Sequence, residues 1–99
     1  MIEMTWDVPL TFEWDKGNRN KNEKHDVADN ECEEAFFDPA KVTLADPLHS
    51  ESESRYILIG KTQHDRLLFV AFTLRHKKVR VISARDLNKR EYFLYEEQG

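Results

Sequence analysis

A chain of 99 residues, 39% hydrophobic and 34% charged, fits one domain (1–99) with a small core. No stretch nears the roughly 18 apolar residues of a membrane span, and Met1-Ile-Glu-Met-Thr-Trp-Asp7 has neither part of a secretory signal, so a cytoplasmic protein without membrane contact is expected. A net charge of −4 argues against indiscriminate nucleic-acid binding, and a lone Cys32 supplies no disulfide framework and no CxxC metal pattern.

Leu10-Thr-Phe-Glu-Trp14 alternates apolar and polar side chains, the pattern of a short N-terminal strand. Asp15 to His25 is polar. It could form a short helix capped by Asp15, although Gly17 and the asparagines at 18, 20 and 22 lower the propensity. Asp29 is placed to cap a second helix, with Glu31 in its first turn. Cys32, Ala35 and Phe36, at i, i+3 and i+4, give that helix one apolar face, and Asp38-Pro39 ends it.

Val42 to Leu44 fits a short strand and Asp46 to Ser50 a loop. Three strands follow, turning at Thr62–Asp65 and at Arg75–Lys78, so an antiparallel meander is expected. The middle strand is apolar on both faces, with Leu68, Val70 and Phe72 on one and Leu67, Phe69 and Ala71 on the other. Such a strand is covered on both sides. The chain's own helices should supply one cover and a partner the second. Asp86 to Glu97 reads as a C-terminal helix with Asp86 as N-cap and Leu87, Leu94 and Tyr95 docking on the sheet. The expected fold is α+β: a three-stranded antiparallel meander plus the N-terminal strand, two N-terminal helices and a C-terminal helix, with helices mainly on one face.

Charge is unevenly shared between the halves. Arg55 to Gly99 holds ten Lys/Arg against five acids, a net of +5, whereas Met1 to Ser54 stands at −9. Arginines threaded through apolar strands are well placed to hold several phosphates at once. Any nucleic-acid site should therefore be local and lie on the second half.

His49-Ser-Glu-Ser-Glu53-Ser-Arg55-Tyr56 gathers a histidine, two carboxylates and an arginine at the mouth of a strand. Histidine titrates near neutrality, a glutamate can orient it or take a proton, and arginine neutralises charge on a phosphoryl oxygen. The same segment also reads as a solvated loop. Arg75 and Arg85 end neighbouring strands. They suit an anion site, or they pair with C-terminal acids such as Glu91 or Glu96. Arg66 and Arg80 look like backbone-phosphate contacts or plain solubility. The histidines at 25, 49, 64 and 76 show no HxxxH or HxH spacing, so neither a metal nor a cofactor is expected. Cys32 reads as core filling, Trp14 as closing the sheet edge, and Tyr92 and Tyr95 as packing residues.

Several fragments, taken in order, resemble one family. They are Phe12-Glu-Trp-Asp15, Lys24-His25 with Val27, Phe36 with Asp38-Pro39, Asp46 with His49-Ser50, and Glu53 with Arg55-Tyr56. Ile59-Gly60, Arg66-Leu-Leu68, Thr73 with Arg75, Arg80 with Ile82-Ser-Ala-Arg85, Glu91-Tyr92 and Tyr95-Glu-Glu97 complete the set. Together they resemble the BrnT-type toxins of bacterial type II toxin–antitoxin systems, from about Phe12 to Glu97. The family usually has glycine where this chain has Asp26 and Asp65, and a second acid where it has Ser54.

The resemblance implies a RelE-like ribonuclease fold, metal-free cleavage of cellular RNA and growth arrest. It also implies neutralisation by a BrnA-like antitoxin in a two-plus-two assembly, with DNA contacted only through the antitoxin. On that basis His49 and Glu53 are expected to transfer protons and Arg75 and Arg85 to stabilise the phosphate, with Arg55, Arg66 and Arg80 binding RNA. The competing expectation is a non-catalytic module acting with its antitoxin in autoregulation.

Overall fold

In the computed structural model, which describes residues 10–46 and 53–98, four strands form one antiparallel sheet in chain order. They are β1 (Val42–Ala45), β2 (Arg55–Lys61), β3 (Leu67–Arg75) and β4 (Lys78–Asp86). Pairing runs from Arg55↔Thr73 to Lys61↔Leu67 between β2 and β3, and from Leu68↔Asp86 to Arg75↔Lys78 between β3 and β4. This is the expected meander, extended by β1 at the edge through Val42↔Ile59. His76 and Lys77, at φ 53° and 66°, close the β3–β4 hairpin in the left-handed backbone region that a two-residue turn requires.

Alternation along β3 sends Leu68, Val70 and Phe72 to one face, where Leu58, Val79, Val81 and Ala84 join them. Helix α1 (Asp29–Phe36) covers this face with Cys32, Ala35 and Phe36, the three residues whose spacing marked its apolar side. Phe36 meets Phe72 edge-on at 5.0 Å between centroids. Gly60 allows the close approach, because a Cβ there would fall on the Ala35 carbonyl.

The opposite face is packed at one end only. Val42, Ile59 and Leu87 cluster there with Leu67, Phe69, Leu94 and Tyr95, the last two from α2 (Tyr92–Gln98). The C-terminal helix thus docks as expected but on the far side from α1, so the helices do not share one face. The chain itself supplies part of the second cover: Ile57 packs half-buried against this cluster, and Ala71 stays half-buried beyond it.

Two further expectations are corrected. The stretch 10–14 is not a strand of the sheet but a single parallel bridge, Phe12↔Val79, with Val79 N–H donating to Thr11 (2.9 Å) and Glu13 N–H to Val79 (2.8 Å). The stretch 15–25 is not an α-helix; it is a turn followed by a 3-10 turn, Lys21–His25. Buried Asn18 and Asn22 explain why. Asn18 Nδ2 donates to the Glu13 and Val81 carbonyls (2.9 and 3.0 Å), and Asn22 Oδ1 accepts from Ala84 N–H (2.9 Å). The bonds to Val81 and Ala84 satisfy backbone groups of β4 from across the chain, and Asn20, at φ 58°, breaks a right-handed helix between Asn18 and Asn22.

The caps also move. Ala28, not Asp29, is the N-cap of α1, with Glu31 accepting from its N–H at 3.0 Å. Asp86 ends β4 instead of capping a helix; Asn88 caps a 3-10 turn (Lys89–Glu91) that leads into α2.

Candidate active site

At the end of the sheet away from α2, the start of β2, the end of β3 and the start of β4 bring charged side chains together. Arg55 and Arg80 both lie opposite Thr73 in the strand register, and Arg75 is two residues further along β3. Paired residues share a face, so these arginines lie on the face opposite α1. Lys21, Glu53, Arg55, Thr73, Arg80 and Ile82 are among the residues lining a cleft of about 250 Å³ there, and Arg75 stands against it through its bond to Glu53. Ile82 is the additional residue where the β3–β4 register shifts between Ala71 and Phe72. A bulge of this kind bends the strand and re-aims its side chains.

Arg80 is locked. Its Nη1 donates to Glu13 (2.9 Å) and Asp15 (2.8 Å), and its Nη2 to the second Asp15 oxygen (3.0 Å). Only 14% of its side chain is exposed. Gly17 leaves room for it, since a Cβ there would lie 2.5 Å from Nη2. The hydrogen bond from Arg80, followed by that from the Gly17 N–H, holds the Asp15 carboxyl below its usual range.

Arg75 is held loosely. Its Nη2 donates to Glu53 at 3.2 and 3.4 Å, its Nη1 stands 3.8 Å from Glu13, and 41% of its side chain is exposed. The Thr73 hydroxyl donates to the Ser54 carbonyl (2.7 Å) and fixes the chain that carries Glu53. A carboxylate able to accept a proton therefore stands against a guanidinium able to bind an oxyanion, with a rigid ion pair beside them.

Of the expected site residues, Glu53, Arg55, Arg75 and Arg80 converge here, whereas His49 lies outside the described residues. Arg85 is on the same face but opposite Phe69, four residues or about 13 Å along β3 from Thr73. Both its Nη atoms bind Glu91 (2.9 and 3.0 Å), as the C-terminal-acid alternative anticipated. Arg66 is a clasp. It binds Asp86 (2.6 and 3.2 Å), Glu31 (3.2 Å), and the carbonyls of Asp26 (2.7 Å) and His25 (3.4 Å), tying β4 to both helical segments. Sequence reasoning missed Glu13 and Asp15. Their polar positions in the alternating Phe12-to-Asp15 stretch were the available signal.

A larger groove lies beside α1, lined by Glu33, Glu34, Phe37, Asp38, Lys61 and Gln63 among others. Its carboxylates already serve the fold: Glu33 accepts from the Trp14 indole (2.7 Å), Glu34 from Gln63 N–H (3.0 Å), and Asp38 from the Tyr95 hydroxyl (2.7 Å). Cys32 is buried, and burial pushes its thiol up to about 12, so it is core filling as expected. Among the described residues no three His, Cys, Asp or Glu side chains converge as metal ligands, and no helix is long and apolar enough to cross a membrane.

A family model described as the ribonuclease toxin, BrnT, of type II toxin–antitoxin systems matches residues 14–91. No curated protein matches the chain.

Proposed function

The chain belongs to the BrnT family, ribonuclease toxins of type II toxin–antitoxin systems, and from that premise we propose a metal-independent endoribonuclease that cuts cellular RNA at the Glu53–Arg75 cleft. The observation that carries this reading is the loose 3.2 Å pairing of the exposed Arg75 guanidinium with Glu53, beside the locked Arg80. A phosphate arriving at Arg75 meets donors that are weakly engaged, whereas those of Arg80 are committed to two carboxylates.

In the proposed reaction a base removes the proton of the RNA 2′-hydroxyl. The 2′-oxygen bonds to the adjacent phosphorus as the bond to the 5′-oxygen breaks. An acid protonates that leaving oxygen, which gives a 2′,3′-cyclic phosphate and a 5′-hydroxyl. Glu53 and His49, four residues apart in sequence, are the proton-transfer pair. Arg75 stabilises the charge on the equatorial oxygens, and Arg55 assists binding. Arg80, in the cleft wall, keeps Glu13 and Asp15 in place, and Arg66 supports the fold. The arrangement of sheet and helices is read as RelE-like, and a BrnA-like antitoxin is the proposed inhibitor in a two-plus-two complex that contacts DNA through the antitoxin.

The test is incubation of the purified chain with end-labelled single-stranded RNA in excess EDTA. Cleavage leaving cyclic phosphate ends is expected, slowed roughly 10²- to 10⁴-fold in His49→Ala and Glu53→Gln. Cleavage that EDTA abolishes would refute metal independence, and full activity in both variants would refute the assignment.

One observation favours the alternative of a non-catalytic co-repressor: Arg66, Arg75, Arg80 and Arg85 all carry carboxylate partners. On that reading the chain cleaves no RNA yet still supports repression by the antitoxin.

A further inference from the structure

We propose that Arg85 and Phe69 form a nucleobase platform, a binding seat for an unpaired base of RNA beside the cleft. The proposal rests on the RNA-cleaving reading above and departs from the sequence-based expectation that Arg85 clamps a phosphate. The Arg85 guanidinium lies over the Phe69 ring, 4.0 Å from Cζ to centroid. Glu91 holds it by two parallel bonds of 2.9 and 3.0 Å, and Nη1 also donates to the Asp86 carbonyl (3.1 Å). The pair is therefore close to neutral, and few donors remain for a phosphate. What remains is a rigid plane, with one face on the ring, one edge on a carboxylate and 37% of the side chain exposed. Guanidinium planes and aromatic rings are the surfaces on which proteins stack unpaired bases.

The neighbouring surface suits the same ligand. An open basin of about 340 Å³ is lined by Arg55, Ile57, Phe69, Ala71, Ile82 and Ser83, with Asp46 at its rim. Its floor is apolar and low, because Ala71 and Ser83, paired across β3 and β4, are both small. Ser83 adds a hydroxyl, and Asp46 and Arg55, which have interactions of their own, bound the rim with charge. A base presents an apolar face and a polar edge, which match floor and rim. The basin lies between the Arg85 level and the Arg75–Glu53 cleft, so a strand crossing the face would pass both. Recognition of one base by stacking would give this toxin its sequence preference.

The experiment is fluorescence anisotropy with a short, uncleavable 2′-O-methyl RNA, scanned with one abasic position at a time and repeated at several salt concentrations. For the wild type, one abasic position is expected to weaken binding about 10-fold, within the range known for base–aromatic stacking. Arg85→Lys keeps the charge but lacks the plane. It should lose a similar factor on the intact oligonucleotide, become insensitive to that position, and keep the wild-type salt slope. Ser83→Leu, at an exposed position, should have the same effect by filling the recess, with thermal melting showing that both variants fold.

Uniform abasic effects, or wild-type affinity for the intact oligonucleotide in Arg85→Lys, whose retained charge would still serve a phosphate, would make Arg85 a phosphate contact and overturn the proposal. So would absence of RNA binding, or variants that weaken only antitoxin binding, since a protein side chain would then be the occupant. A position-specific penalty without any cleavage of ordinary RNA would keep the platform and discard the ribonuclease reading.

Discussion

On β3, Phe72 has none of its surface exposed beneath α1, while its neighbour Ala71 looks out half-buried among Ile57, Ile82 and Ser83 on the opposite face. The face against α1 is a continuous core from Leu58 to Ala84. The other face is packed at the α2 end and charged at the Arg75 end, with a low apolar floor between. One strand thus packs into the larger core with Leu68, Val70 and Phe72, while on its other side Leu67 and Phe69 pack toward α2 and Ala71 lines the open basin. The difference comes from what each face meets, since both sets of side chains are apolar.

The sharpest way to break this comparison is to mutate adjacent residues. Phe72→Ala should cost about 3–5 kcal/mol in urea unfolding, the range for truncating a fully buried aromatic. Ala71→Ile should stay within about 1 kcal/mol, because the site is open and a β-branched residue suits a strand. Similar losses at both positions would show that the faces do not differ as described.

A second contrast separates two arginines. Arg66→Ala should destabilise by about 2 kcal/mol, since it breaks several charge-assisted bonds at once, with a discount for the exposure of Asp86. It should leave cleavage by the folded fraction close to wild type. Arg75→Ala should change stability by less than about 0.5 kcal/mol and reduce cleavage by about 10²-fold or more. Paired melting and activity measurements decide the matter. Arg66 and Arg75 variants that lose stability and activity in parallel would remove the distinction.

The pH dependence sharpens the same contrast. The hydrogen bond from Arg66 holds the Asp86 carboxyl below its usual range, and that from Arg85 does the same for Glu91. A depressed folded value means stability that is present above the ordinary carboxylate range near pH 4 and lost as pH falls through the folded value. Arg66→Ala should therefore show a shallower acid loss than the wild type. Tyr95 behaves in the opposite sense. Burial, then its bond to Asp38, push its hydroxyl up to about 12. Its contribution is complete below about pH 10 and fades as pH rises toward 12. Tyr95→Phe should abolish that alkaline decline in a pH series of melting temperatures.

The smallest effect concerns turns. Asp26 and Asp65 sit at φ 61° and 63°, in the left-handed backbone region that favours glycine. Asp26→Gly and Asp65→Gly should each stabilise by about 0.5 kcal/mol, the relief of a left-handed backbone offset by glycine's greater freedom when unfolded. Destabilisation in urea would mean that the aspartates make compensating bonds.

What was legible in the sequence was what is local. The i, i+3, i+4 spacing of Cys32, Ala35 and Phe36 marked the covered side of α1, and the alternation along β3 marked two apolar faces. Leu94 and Tyr95 were rightly expected to dock, but nothing local says on which face. Asn18 and Asn22 defeated the helix reading because their partners lie 62 or 63 residues away on β4. The candidate site divides in the same way. Glu53, Arg55, Arg75 and Arg80 could be named from residue type and position. The carboxylates that hold Arg80, Glu13 and Asp15, come from more than 60 residues upstream, and no spacing rule connects them to it.

The most direct test of the central claim is induced expression of the chain alone in a bacterium, wild type beside Arg75→Ala, scored for growth arrest and bulk RNA integrity. Arrest with RNA loss in the wild type, relieved in a soluble Arg75→Ala protein, is the expected result. A soluble wild-type chain that neither arrests growth nor degrades RNA, or an Arg75→Ala chain that does both as fully as the wild type, would contradict a ribonuclease centred on the Glu53–Arg75 cleft.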